Sequence, residues 1–343
     1  MSLTRKHLLI LVGLVGLLAL TACTREITTV VQEEPQPSTC FECHSDSDLK
    51  VVYAEEQWAL SKHGEGETLA EGAQAGCVRC HCNEGFIQYV ADPARLTYEA
   101  TNSPSNIGCF TCHAPHSNGN FGLRITTPQP LLNGVSFDLG EGNGCVVCHQ
   151  ARRDVAVYIT ASNSINSRYG PHHGPQGDML LGTNGYEYAG YTYGDTPYHR
   201  EMNEDGCVNC HMRTVGLDMG GHTFNVTAVN EETLAETFNV NACKGCHTDI
   251  GSDFDFNGVQ SEVDALGLQL RGLLVTANLM VESPAGSGIF VPKTNTGVTA
   301  GNAGAVWNYM YVMVEDKSHG VHNPDYARDL LQSAINYLTP TVQ

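Results

Sequence analysis

The sequence predicts a mainly α-helical chain with long irregular loops, an interior that side chains alone do not fill, and helices gathered at the C-terminal end. Three observations carry this. The 343 residues include 36 Gly and only 16% charged residues. The 41% hydrophobic share counts 14 Cys and an apolar N-terminal run, so little is left for a core of this length. Twelve of the cysteines recur in a fixed pattern.

The N-terminus reads as an export signal. Arg5, Lys6 and His7 precede an apolar run from Leu8 to Leu20, too short for an ordinary membrane span. The run ends in Leu20-Thr21-Ala22-Cys23, which resembles a bacterial lipobox. Residues 1–22 are then a signal peptide, and Cys23 becomes the acylated first residue. The plainer alternative is ordinary cleavage beside an incidental Cys. Thr24, where inner-membrane lipoproteins usually carry Asp, points to an outer-membrane lipoprotein facing the periplasm or the cell surface. Residues 23–38, polar and holding Pro35 and Pro37, read as the lipidated Cys and its tether.

The repeat begins at residue 40. Six C-x-x-C-H motifs stand at Cys40–Cys43–His44, Cys77–Cys80–His81, Cys109–Cys112–His113, Cys145–Cys148–His149, Cys207–Cys210–His211 and Cys243–Cys246–His247. Their first cysteines fall 37, 32, 36, 62 and 36 residues apart, a quasi-repeat with one insertion. This is the covalent attachment signature of haem c. Two thiols three positions apart share one face of a helical turn, placed to meet two vinyl groups of one haem. The next residue sets its imidazole under the iron. A disulfide framework would not put His after every second Cys, and zinc ribbons do not require it. The motifs therefore predict six covalent haems in a closely packed stack over residues 39–250.

A second axial ligand on each iron separates an electron carrier from an enzyme with an open site. Eight histidines remain for that role: His63, His116, His172, His173, His199, His222, His319 and His322. Six of the eight suffice. His116 cannot reach the far face of the haem whose proximal ligand is His113, three residues earlier, so as a ligand it would serve a neighbour. The adjacent pair His172 and His173, and the pair His319 and His322, are each expected to supply one. For any single one of them a surface or hydrogen-bonding role is the plainer reading. The methionines bear no fixed relation to the motifs and are read as packing residues.

Together with C-x-x-C-H-x-P-H at Cys109–His116, His172-His173-Gly-Pro-Gln176, Gly220-Gly-His222-Thr-Phe224 and Gly320-Val-His322-Asn-Pro324, the motifs resemble multihaem c-type cytochromes of anaerobic and metal-reducing bacteria over roughly residues 39–340. The resemblance implies His222, His322 and one of His172 and His173 as distal ligands. That superfamily holds both electron conduits and pentahaem nitrite reductases, whose catalytic haem is usually attached through C-x-x-C-K. No such motif occurs here, which favours a carrier over a reductase of a small oxyanion or nitrogen compound. A subunit of a conductive filament is a third reading, and a lipid anchor argues against long filaments. Expected partners are other cytochromes or a porin-cytochrome conduit. The net charge of −19 excludes the basic footprint that nucleic acid requires.

Residues 251–343 carry no further motif and read as a helical region packing on the haems, with helices expected at 259–282, 303–316 and 324–338. Asp253, Asp255 and Asn257 match the opening of a calcium loop, with Asp264 at its twelfth position in place of the usual Glu. The alternative is an acidic turn capping a helix. Cys82, directly after His81, is left without an assigned role.

Overall fold

The computed structural model describes residues 49–94, 98–118, 120–230 and 232–339. All lie in one compact unit spanning residues 38–343. The signal, Cys23, the tether and the first motif (Cys40, Cys43 and His44) fall outside the described residues. Among the described residues no helix is long and apolar enough to cross a membrane.

Among the described residues five α-helices exceed two turns: α1 (Leu49–Ala59), α2 (Asn83–Ala91), α3 (Val259–Thr276), α4 (Ala300–Tyr309) and α5 (Pro324–Leu338). Apart from the 3-10 segment Gly140–Val147 and the π segment Met310–Asp316, the remaining described helical pieces are of three to five residues, and many of them hold a motif or a candidate histidine. Four two-stranded antiparallel ribbons complete the regular structure: β1 (Gln129–Pro130) with β2 (Ser136–Phe137), β3 (Ser162–Ile165) with β8 (Asn295–Thr299), β4 (Thr227–Val229) with β5 (Glu236–Phe238), and β6 (Met280–Glu282) with β7 (Phe290–Pro292).

The large core belongs to the C-terminal helices. Along α3, Val263, Gly267, Leu270 and Leu274 recur at spacings of three and four and form the buried stripe. A side chain at Gly267 would collide with Met313, so the glycine permits close approach there. α4 is buried from Ala303 to Tyr309, as expected of a helix apolar on every side. The π-helical turn Met310–Asp316 continues it. α5 opens on a cap: the Asn323 side chain accepts from the Tyr326 amide, and Pro324 takes the first helical position, where no amide hydrogen is needed. Its buried face is Tyr326, Ala327, Leu330, Leu331, Ala334 and Ile335.

The same core draws in an earlier part of the chain. Strand β3 pairs Ser162 with Thr299 and Asn163 with Val298. The Trp307 indole donates to the Asn184 carbonyl at 2.9 Å. Asn308 accepts from the Tyr186 amide and donates to the Tyr186 and Leu330 carbonyls. Ile159, Ile165, Tyr169 and Met179 thus share a cluster with α3, α4 and α5, and this core begins well before residue 251.

Two of the three expected C-terminal helices differ from their predicted bounds. Residues 277–282 leave the helix because Asn278 adopts a left-handed conformation at φ 60°, and Met280–Glu282 pairs with β7 instead. Helix α4 starts at Ala300, ahead of the expected 303, because the Thr299 hydroxyl accepts from the Asn302 amide. Helix α5 occupies the expected residues.

The carboxylates of the expected calcium loop do not converge on one point. Asp255 turns onto Ser261, accepting from its amide and hydroxyl, while Asp253 accepts from the Asp255 amide. Asn257 is held left-handed at φ 57°. Asp264 lies one turn into α3 and meets His319 Nδ1 at 2.5 Å. Among the described residues no three His, Cys, Asp or Glu side chains converge to hold a metal ion. The carboxylates serve the entry to α3, the alternative weighed from the sequence.

Candidate functional site

Each described motif forms one helical turn. The His amide bonds back to the first Cys carbonyl in His81→Cys77, His113→Cys109, His149→Cys145 and His247→Cys243, at 2.9–3.2 Å. Cys207–His211 is itself a helical turn. This i→i−4 closure sets the two thiols on one face and the imidazole just beyond them. None of the eleven described cysteines is joined in a disulfide.

Four of the motif imidazoles are oriented through Nδ1. His81 meets the Thr68 hydroxyl at 2.9 Å, His113 the Phe121 carbonyl at 2.6 Å, His149 the Gln176 side-chain oxygen at 3.2 Å and His211 the Phe224 carbonyl at 3.0 Å. A proton held on Nδ1 by such a partner leaves Nε2 with its lone pair, the state a metal ligand requires.

Four of these motif histidines face a second histidine. Ring centres lie 6.2 Å apart for His63 and His149, 6.2 Å for His113 and His222, 6.0 Å for His199 and His247, and 6.4 Å for His211 and His322. Two imidazoles facing each other across one iron, each nitrogen ~2 Å from the metal, hold their ring centres roughly 6 Å apart. The residues present therefore fit the group that the motifs imply. In each pair the partner lies far away in sequence, so spacing along the chain could not reveal the pairing.

Different elements deliver the second histidines. His63 sits on the turn Lys62–Glu65, which Ser61 caps by accepting from the Gly64 amide at 3.0 Å. His222 sits on a turn held to α1, where its amide donates to the Gln57 side-chain oxygen at 3.0 Å. His322 stands just before α5, its Nδ1 2.7 Å from the buried Asp316 carboxylate.

Burial sets the charge of most of these rings. Desolvation, then the nearby His149, pushes His63 down to about 4. Desolvation first and His322 second push His211 down to about 4. For His322 burial works in the same direction, but Asp316 outweighs it and holds the pKa above its ordinary value. Neutral rings at His63 and His211 are the form that can bind a metal.

The remaining candidates divide. His173 lies within electrostatic reach of His81, and its Nδ1 is 3.0 Å from Glu315. Its neighbour His172 lies beside it, ring centres 4.8 Å apart, and both residues adopt left-handed backbone. His319 is engaged with Asp264 in a half-exposed pair. His116 lies beside Phe110, ring centres 5.6 Å apart. Cys82 is fully buried, its thiol directed at the Val78 carbonyl, which accounts for it as a packing residue.

The motifs also meet one another. The Cys80 and Cys148 thiols are in hydrogen-bond contact, and so are those of Cys145 and Cys207. Cys112 lies close enough to Cys145 for their charges to interact, and Cys210 to Cys243 and Cys246. The fourth motif is thus contiguous with the second, third and fifth, and the fifth with the sixth. What the sequence did not flag is the pair Glu315 and Asp316. Their only signal is an acidic dipeptide just ahead of Ser318-His319-Gly-Val-His322.

No protein-family profile matches the sequence. The chain is 26% identical over 227 residues to the C-type polyheme cytochrome OmcC of Geobacter sulfurreducens, covering 53% of this chain and 28% of that protein. It is 24% identical over 255 residues to the C-type polyheme cytochrome OmcB of the same species, covering 61% and 32%. The fold is similar to the crystal structure of the outer cell wall cytochrome OcwA, with a TM-score of 0.51, 22% identity, and coverage of 82% of this chain and 50% of that one. The chain therefore resembles multihaem c-type cytochromes in sequence and in fold. It spans under a third of the length of the curated relatives it matches.

Proposed function

We propose that this chain is a six-haem c-type cytochrome of the cell envelope that relays electrons to a redox partner. The observation that supports it most is the set of four facing imidazole pairs at the spacing of axial ligands, each pairing a motif histidine with a distant one. Haem c, held by the six motifs, supplies a one-electron couple at each site. The chain itself closes each described attachment turn, orients four motif histidines through Nδ1 and brings neighbouring motifs into contact.

In this reading His149, His113, His247 and His211 take His63, His222, His199 and His322 as their second ligands, and His81 takes His173. The first motif then takes His116. His44 is five residues from Leu49, so at most ~18 Å of chain joins it to α1. α1 in turn packs on the turn of His222, which faces His113, and His113 is three residues from His116. Residues 1–22 would direct export and an acylated Cys23 would hold the protein at the outer membrane. Its partners would be other cytochromes or a porin-associated conduit, in keeping with the polyhaem names of its relatives.

Electron paramagnetic resonance on the oxidised, fully loaded protein tests this reading. Six low-spin ferric haems per chain are expected, with the haem count fixed independently by intact mass. A high-spin signal from one haem in six would overturn full His–His ligation and favour an open, reactive site.

A further inference from the structure

The π-helical turn Met310–Asp316 ends in two consecutive buried acids, Glu315 at 6% and Asp316 at 2% exposure. They turn to two different histidines. Glu315 Oε2 lies 3.0 Å from His173 Nδ1 and also accepts from the His173 amide at 2.5 Å. Asp316 Oδ1 lies 2.7 Å from His322 Nδ1, while its Oδ2 accepts from the Ser318 hydroxyl and amide. Apart from His319, which meets the half-exposed Asp264, the other oriented rings have neutral partners: a threonine hydroxyl for His81, backbone carbonyls for His113 and His211, and an amide oxygen for His149. His199 likewise meets the backbone, at Val321.

An imidazole that donates Nδ1–H to a carboxylate gains imidazolate character and becomes a stronger donor at Nε2. Stronger donation stabilises ferric over ferrous iron and lowers the reduction potential. Both carboxylates are buried, and around His322, whose side chain is 22% exposed, the negative charge acts with little screening and adds to that effect, whereas the His173 side chain is 75% exposed. We infer that Glu315 and Asp316 are potential-setting residues that give the haems of the second and fifth motifs lower potentials than neutral ligand partners would. This rests on the reading of His173 and His322 as axial ligands. One short segment would then tune two sites that flank the fourth motif.

Spectropotentiometric titration of the fully loaded protein, with electron paramagnetic resonance in parallel, tests the inference in the variants Asp316→Asn and Glu315→Gln. Each is expected to raise one of the six midpoints by at least a tenfold change in its reduction equilibrium, which is 59 mV for one electron, with every haem still low-spin. Asp264→Asn, which alters the half-exposed partner of His319, is expected to leave all six midpoints in place. Midpoints unmoved in both buried variants, or moved as far by Asp264→Asn, would overturn it. So would a high-spin haem in Asp316→Asn, which would make the carboxylate a support for the ring and not a tuner. His322→Ala separates this from the reading beneath it. One new high-spin haem keeps His322 as a ligand whatever the midpoints do, whereas an unchanged spectrum overturns both.

Discussion

The stretch from Leu49 to Val147 and the stretch from Val155 to Leu338 are built on different terms. The later one gathers 24 buried apolar residues into a single cluster around α4. The earlier one, joined by Leu180, Leu181 and Cys207 from further along the chain, divides its buried apolar residues between clusters of five and four. Clusters that small cannot offset the conformational entropy of ordering so long a segment. The later core, with Trp307 and Tyr311 fully enclosed, is of the kind that holds a domain together by side chains alone. The difference teaches where the haems would matter for structure. In the earlier half the attachment turns, polar caps and single side-chain hydrogen bonds position everything, and porphyrin would supply the missing interior.

The largest effect expected from this contrast follows the loss of an attachment. Replacing Cys145 and Cys148 together by Ala should remove one haem by mass. It should also abolish hydrogen-exchange protection across the turns around His63 and Cys80, while α3, α4 and α5 stay protected. Equal loss of protection in both halves would break the comparison. Next comes Trp307→Ala. A large fully buried aromatic replaced by Ala costs about 3–5 kcal/mol, so thermal melting of the C-terminal helices should fall steeply while the haem spectra at room temperature keep their low-spin form. The smallest is Ser61→Ala. Loss of a helix cap costs about 1 kcal/mol. Here it should scarcely move the melt and should instead broaden the low-spin signal of the haem facing His63. A melt shift as large as that of Trp307→Ala would mean the earlier half carries more of the stability than its clusters suggest.

What could be read from the sequence was what is local. A C-x-x-C-H motif closes within one turn, so its geometry needs no tertiary context. Helix α5 was legible because Pro324 suits its first turn and Ala327, Leu330, Leu331 and Ile335 give it one apolar face. The end of α3 was not. Met280 continues the apolar periodicity of the helix, and only the left-handed Asn278 and the pairing of Val281 with Val291 divert the chain. Asp264 reads as the last position of a cation loop until His319, brought in from beyond α4, takes its carboxylate. Which histidine faces which motif in the four described pairs was equally hidden, since it depends on which loops meet across the fold. Glu315 meets His173 and Asp316 meets His322, whereas His319 turns to Asp264.

The facing histidines stand, for three of the four pairs, about a hundred residues apart along the chain. Read as ligand pairs, they are cross-links that close very long loops. A covalent bridge closing a loop of ~100 residues removes about 4.7 kcal/mol of chain entropy from the unfolded state, and a metal clip that holds in the unfolded chain acts in the same way. Attachment at a motif can be finished as soon as five residues have emerged. The second bond must wait for the far segment, and for His211 that segment is residue 322, close to the end of the described chain. The spin state of each iron would then act as a clock of assembly, turning over only when the two ends of its loop have found each other.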